Sequence, residues 1–435
     1  MYIDNPIQTY TYEKMTSDIH QLSQTYPEII DYHSIGQTKY GRDLWAVKLG
    51  NGDATVFING SHHAREWITT TLNMKMIQQY ASAYYRNQSF KNYNVRNLLN
   101  EVAIWFVPMV NPDGVTLQQK GLNALPKDIH NQVLQMNNGS YDFTRWKANA
   151  SGIDLNRNYP ADWPNITGDY SEPRWSNHKG EEPFSAIEAQ LIRDFTYEID
   201  PEMAFAYHTT GQVLYWHHHY DSNQYDRDKR LAETISNYTG YRIIPPTDEP
   251  GGGTYTDWFI QEYKRPAFTV ELNPHLYRRH VPVENFPSIW KRNNAVPLYS
   301  AQESYKMWLN RQPTHAVDEK VYLIDQTQLY KHPMGRATGS ALSPQAVSVT
   351  AKKGNWLQIN TWAGGLWIQD SLAKASPKKE VNERITLEYK AALHTIPTEY
   401  SKATSYLSPQ TVNAVAKWED WYLIKTWMGE YWVKK

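Results

Sequence analysis

Nine residues, "SHHAREWIT" (61–69), bring two histidines, an arginine and a glutamate together directly after the strand-like run "ATVFING" (54–60). His63 and Glu66 are three apart, so on the first turn of a helix starting here they share a face. An imidazole nitrogen beside a carboxylate oxygen suits Zn²⁺, and a catalytic zinc takes three protein ligands with the fourth position left to water. His62, the neighbour, is expected to point away and to serve a structural or supporting role. The spacing is not the His-Glu-x-x-His arrangement, and His-x-x-Glu alone occurs in many proteins. The elements around the pair must therefore decide its meaning.

Four continuous apolar runs have the length of buried strands: "ATVFING" (54–60), "VAIWFVPMV" (102–110), "MAFAYH" (203–208) and "AFTVEL" (267–272). Helical patterns lie between them, from Trp67 to about Tyr84 and over "SAIEAQLIRDFTYE" (185–198), which opens with a capping box formed by Ser185 and Glu188. A further helix, "DKRLAETISNYTG", closes on Gly240. Strands alternating with helices predict an α/β domain with a mixed, mostly parallel central sheet and flanking helices, and ligands gather at the carboxyl ends of such strands. His63, His208 and Glu271 all fall at or just beyond the end of a strand-like run.

The whole chain narrows the classes. Its 435 residues leave room for two or three domains, and a net charge of −1 gives no global preference for nucleic acid or membranes. No run of 18 apolar residues exists, so no membrane span is expected. The start "MYIDNPIQTYTYEK" shows no signal peptide, and the absence of cysteine excludes thiol chemistry and disulfides. Residues 320 to 435 hold 15 Lys and Arg against 9 Asp and Glu, net +6, whereas the remainder is net −7. A basic third on an acidic body reads either as a separate module for an anionic polymer or as solvated lysines on a small domain.

That third also repeats. "ALSPQAVSVTAKKGNWLQINTWAGGLWI" (341–368) returns 65 residues later as "YLSPQTVNAVAKWEDWYLIKTWMGEYWV" (406–433), with Trp356, Trp362 and Trp367 matched by Trp421, Trp427 and Trp432. Short alternating runs broken by turn residues predict two small all-β barrels, placed at 320–371 and 381–435 behind a body of 1–313, with "NRQPTHAVDEK" (310–320) and "AKASPKKE" (373–380) as linkers. The Leu-Ser-Pro-Gln, Trp-x-x-Ile and Trp-x-Gly-x-x-Trp elements resemble bacterial SH3-like cell-wall-binding domains, in which most tryptophans pack.

"HAREWIT", "NPDG" (111–114), "GIDLNRNYP" (152–160), "EPFSAIEAQ" (182–190), "YHTTGQVLYW" (207–216) and "FTVEL" (268–272) stand in the order found in zinc metallocarboxypeptidases. The chain resembles the carboxypeptidase A-like superfamily over roughly residues 8 to 310. The resemblance implies one Zn²⁺ held by His63, Glu66 and His208, with Glu271 as general base. Asn156 and Arg157 would hold the substrate carboxylate, Arg65 would contact substrate or help polarise its carbonyl, and Asp154 would orient a ligand histidine.

Two departures stand out. "RWKANA" puts Lys147 where the digestive enzymes supply an oxyanion arginine, with Arg145 as the alternative; lysine keeps the charge but lacks the planar fork. The loop "PPTDEPGGGTYTDW" (245–258) has acidic residues in place of a mobile tyrosine, although Tyr255 lies nearby. These features resemble bacterial γ-D-glutamyl-meso-diaminopimelate peptidases, which implies a peptidoglycan stem peptide as substrate, with Asp248 or Glu249 pairing with the diaminopimelate ammonium. A general carboxypeptidase on protein C-termini is the alternative. Wall-binding modules lead to an expected cell wall-associated or extracellular location; without a signal peptide, cytoplasmic or sporulation mother-cell action is the alternative. The run "HHH" (217–219) reads as a solvated polar loop before a second metal site.

Overall fold

A computed structural model describes residues 6–218, 222–247, 252–370, 373–375, 379–399 and 401–435. The chain divides into two compact units, Met1–Trp308 and Leu309–Lys435.

The first unit is built on eight strands: β1 (Ile30–Gln37), β2 (Asp43–Leu49), β3 (Ala54–Gly60), β4 (Val102–Val107), β5 (Met203–Thr209), β6 (Val213–Tyr215), β7 (Arg242–Ile243) and β8 (Ala267–Leu272). They lie in one sheet in the order β1-β2-β4-β3-β5-β8-β6-β7. The four apolar runs of the sequence are its parallel centre, β4-β3-β5-β8. Antiparallel pairings flank this centre, β1 with β2, β2 with β4, and β6 with β8. Central strands buried on both faces must be apolar throughout, and Val56, Phe57 and Ile58 of β3 are fully buried. The helix Ile68–Tyr85 packs over them with Leu72, Met76, Ile77 and Tyr80 fully buried.

Several local expectations shift. β4 ends at Val107 rather than at residue 110, because Pro108 has no N–H for the ladder. The capping box at 185–188 does not form: the helix Ile187–Ile199 has Ala186 at its N-cap without a side-chain bond. Ser185 Oγ instead accepts from Asn158 Nδ2 at 2.9 Å, and Glu188 Oε2 accepts from Asn149 Nδ2 at 3.0 Å. Tertiary partners outbid the local cap. The helix that closes on Gly240 starts earlier, at Ser222, and ends at Thr239; Gly240 takes φ +69°, a left-handed turn that glycine adopts at no steric cost.

Beyond the helix Val296–Arg311, whose last turn opens it, the described residues of the second unit form strands and their connections. His315–Leu323, Thr327–Tyr330, Ala337–Leu342, Ala346–Lys353, Trp356–Thr361, Gly364–Gln369 and Ala373–Ala375 form a seven-stranded sheet. Lys379–Leu387, Gln410–Trp418, Trp421–Thr426 and Gly429–Lys434 form a four-stranded one, and Ala391–Leu393 pairs with Ser405–Leu407. The segments read as linkers are partly strand: His315–Leu323 pairs with Ala346–Lys353. The sequence repeat is a structural repeat. The hairpins 356–369 and 421–434 share one register, with Thr361 opposite Gly364 and Thr426 opposite Gly429.

Candidate active site

The site begins where β3 stops. Ser61 turns the chain at φ +54°, and its backbone N–H donates to Thr69 Oγ1 at 2.8 Å. Ala64–Glu66 then forms a single 3₁₀ turn ahead of the long helix. Residues three apart eclipse in a 3₁₀ turn, so His63 and Glu66 meet more directly than the expected α-helical turn would allow. His63 Nδ1 lies 2.9 Å from Glu66 Oε1. His208, near the end of β5, brings its Nδ1 to 3.0 Å from Glu66 Oε2 and 3.1 Å from His63 Nδ1. His63, Glu66 and His208 are all buried, and one ligand atom from each lies within 4.8 Å of the others.

These residues fit a zinc ion on their own chemistry. Two facing imidazole nitrogens 3.1 Å apart cannot both carry a proton, so at least one lone pair points at the other ring. The nitrogens of a tetrahedral zinc site stand about 3.3 Å apart, close to what the free side chains adopt. Burial alone would raise the Glu66 carboxyl, yet His63 and His208 hold it well below the usual carboxylate range. Burial pushes the His208 imidazole down, toward the neutral form a metal requires.

Asp154 supports the cluster from behind. Its Oδ1 lies 3.2 Å from His63 Nε2, close enough to pair electrostatically although neither atom has a well-aligned hydrogen bond. Its Oδ2 receives the Lys147 ammonium at 2.7 Å and the Asn177 backbone N–H at 3.1 Å, with Arg157 Nε at 3.9 Å. Burial opposes ionisation of Asp154, but Lys147 and His63 outweigh it and hold the carboxyl well below its ordinary range.

Glu271 is the register partner of His208 across the parallel pair β5–β8. Burial first, then the charge of Glu66, pushes its carboxyl well above the usual value, opposed by Lys147 and Arg65. His63, Lys147, Asn156, Arg157 and Glu271 line one cavity of roughly 410 Å³. Asn156 is fixed there by accepting the Tyr255 N–H at 3.1 Å.

Other expected residues fall elsewhere. Arg145 turns away: its guanidinium donates to the Asn137 carbonyl at 2.9 Å and lies over the Trp175 ring, so of these two cations Lys147 is the one that lines the cavity. Arg65 donates to the Arg145 carbonyl at 3.0 Å and reaches Glu271 only through its charge. Tyr255 is a correction. Its side chain is fully buried among Phe57, Tyr159 and Trp258, with its hydroxyl 3.3 Å from Thr196 Oγ1, so it cannot touch substrate. Asp248 and Glu249 lie outside the described residues. His62 does point away, its Nε2 3.0 Å from the Tyr159 hydroxyl.

Residues that sequence reading passed over complete the cavity: Tyr215, His217, His218, Thr247, Gly252, Thr254, Thr256, Asp257 and Thr269. His217 and His218 belong to the run read as a solvated loop. Their proximity to "VLYW" was the available signal, because β6 pairs with β8 and sets Tyr215 opposite Thr269. Asp257 lies 3.9 Å from His218 Nδ1, and Thr256 and Thr269 share a 2.7 Å hydrogen bond.

A buried His-Glu-His cluster that could hold a metal ion, with the carboxylate of Glu271 lining the same cavity at the carboxyl ends of parallel strands, is an arrangement suited to a metallopeptidase. The zinc carboxypeptidase family model matches residues 15–295, and the chain belongs to that family. It is 32% identical over 292 residues to gamma-D-glutamyl-L-diamino acid endopeptidase 1 of Lysinibacillus sphaericus, covering 66% of this chain and 71% of that protein. It is 25% identical over 282 residues to carboxypeptidase B of Astacus astacus, covering 60% and 86%. Among solved structures, bovine thrombin-activatable fibrinolysis inhibitor in complex with tick carboxypeptidase inhibitor shares the fold, with a TM-score of 0.55, 19% identity, and coverage of 69% and 99%. The protein is a zinc metallopeptidase of this family.

Proposed function

We propose that this peptidase hydrolyses peptidoglycan stem peptides at the γ-D-glutamyl–meso-diaminopimelate bond. The observation that carries the reading is the cavity wall. Among the described residues no aliphatic side chain lines it; beyond the reaction centre it presents Thr254, Thr256, Thr269, Asp257, His218 and Tyr215. An aliphatic C-terminal residue would find only the Tyr215 ring and threonine methyl groups as apolar partners there. A diaminopimelate side chain, with an ammonium and a carboxylate, finds acceptors and donors instead. The name of the Lysinibacillus relative, 32% identical, supports the broader class, a bond between γ-D-glutamate and an L-diamino acid.

In this reading His63, Glu66 and His208 hold the zinc ion, and Asp154 fixes the His63 ring. The bound ion would supply Lewis-acid polarisation of a carbonyl and a water made acidic near neutral pH. Glu271, with Oε2 free of any hydrogen bond, takes a proton from the attacking water and returns it to the leaving amine. Lys147 stabilises the developing oxyanion as a point charge held in place by Asp154. Asn156 and Arg157 bind the substrate carboxylate. The second unit, read as two SH3-like modules at 320–371 and 381–435 behind a catalytic domain of 1–313, tethers the enzyme to the bacterial cell wall, which places its action there.

Mass spectrometry of L-Ala-γ-D-Glu-meso-diaminopimelate after incubation with wild type, Glu271→Gln and chelator-treated protein tests this. Free diaminopimelate from wild type alone is the expected result. An intact tripeptide, together with trimming of α-linked peptides, would establish a general carboxypeptidase instead.

A further inference from the structure

The repeated hairpins of the second unit carry three pairs of equivalent tryptophans, and the fold treats the pairs differently. Trp356 and Trp421 are buried, as are Trp367 and Trp432, each at most 8% exposed. Trp362 and Trp427 are 73% and 80% exposed. Both stand at a hairpin tip built the same way. The Thr361 hydroxyl donates to the Gly364 carbonyl at 2.8 Å and accepts the Ala363 N–H at 3.1 Å. The Thr426 hydroxyl donates to the Gly429 carbonyl at 2.9 Å and accepts the Met428 N–H at 3.2 Å. Each tip therefore holds its indole out on a braced turn.

A single exposed tryptophan needs no explanation. The same exposed tryptophan in both copies does, because the residues around it have diverged. Asn360, Ala363 and Gly365 in the first tip correspond to Lys425, Met428 and Glu430 in the second. Among the described residues the other exposed aromatics of this unit are not duplicated: Tyr389 and Tyr406 match Ile324 and Ala341. The threonine and glycine are accounted for by the turn; the indole is not.

We infer that Trp362 and Trp427 are the ligand platforms of the two modules, each stacking on a pyranose ring of the peptidoglycan glycan strand. The identity of the polymer rests on the proposed function; the platforms themselves rest on the repeat. What the copies share is a flat neutral ring rather than charge, since the first tip has asparagine where the second has lysine. That argues against an anionic polymer as the ligand, despite the basic balance of this region. It also argues against a lipid surface: the first tip offers one indole among Ala, Gly and Thr, too little apolar surface to insert. A sugar ring presents an axial C–H face of about the size of one indole, and a repeating polymer presents many. Two weak platforms on one chain then act together, the second contact being intramolecular.

The test is co-sedimentation of the full-length protein with purified sacculi stripped of covalently attached anionic polymers, at roughly 0.15 and 0.5 M salt. Wild type, Trp362→Ala, Trp427→Ala and the double variant are compared, with zinc content and thermal melting verifying the fold. Wild type is expected to sediment at both salt concentrations. Each single substitution should raise the half-saturating wall concentration about tenfold, and the pair about a hundredfold. Wild-type behaviour of the double variant, failure of wild type to bind stripped sacculi, loss of binding at high salt, or binding to anionic vesicles instead would overturn the inference. Failure of the catalytic reading would appear in the product analysis and leave these sedimentation results unchanged.

Discussion

Lys147 and Asp154 form a 2.7 Å ion pair in which the carboxylate has a second duty, its other oxygen facing His63 Nε2 at 3.2 Å. One buried acid thus positions both the candidate oxyanion cation and a candidate metal ligand. Its two functions should separate by mutation. Lys147→Met should lower kcat by about 10²- to 10³-fold with zinc affinity retained, since a single oxyanion donor is removed. Asp154→Asn should weaken zinc about 10- to 100-fold, read by competition with a chromophoric chelator. Equal zinc loss in both variants would contradict this division of labour.

Glu271→Gln and His208→Ala should differ in metal content. Removing the base leaves His63, Glu66 and His208 intact, so Glu271→Gln should bind one zinc per chain while activity falls about 10²- to 10⁴-fold. His208→Ala should lose zinc as well as activity. Elemental analysis after gel filtration distinguishes them, and zinc missing from Glu271→Gln would count against Glu271 as base alone.

Tyr255→Phe should leave kcat and KM unchanged, because the side chain is sealed in the core and only its hydroxyl contact with Thr196 is lost. A destabilisation of about 1 kcal/mol is expected from that one hydrogen bond, measurable by urea titration. A large change in KM would restore Tyr255 to the substrate site.

Glu188 gives a pH signature of stability. It is 2% exposed, and burial pushes its carboxyl up to about 7, with Asn149 its side-chain partner. A carboxyl whose folded pKa is raised binds its proton more tightly in the native state. Its contribution is therefore fully present below the unfolded value and declines as pH rises toward 7. Glu188→Gln keeps an acceptor for Asn149 without the ionisation. Relative to wild type it should gain up to about 3 kcal/mol between pH 5 and pH 8. Thermal melts of both proteins at the two pH values check this; a stability difference that does not change with pH would contradict it.

Much of the architecture is legible in the sequence because it is written in local chemistry. Apolar runs of strand length mark β3, β4, β5 and β8, and their parallel pairing follows from helices between them. His63, His208 and Glu271 could be placed at strand ends by position alone, and the duplicated tryptophans are visible as a 65-residue period. Choices between neighbours were not legible. Arg145 and Lys147 are two residues apart, and only the stacking of Arg145 on Trp175 decides which cation faces the cavity. Ser185 and Glu188 have the spacing of a cap, yet Asn158 and Asn149, distant in sequence, claim both side chains. The cavity lining was hidden for the same reason. His218, Thr256 and Thr269 converge because β6 adds to β8 antiparallel and a helix starts beneath them, a long-range pairing that leaves no local pattern. The sequence by itself determined which residues can do chemistry and which strands carry them. The tertiary structure decided which side chains face one another, because burial and hydrogen bonding are settled among residues far apart in the chain.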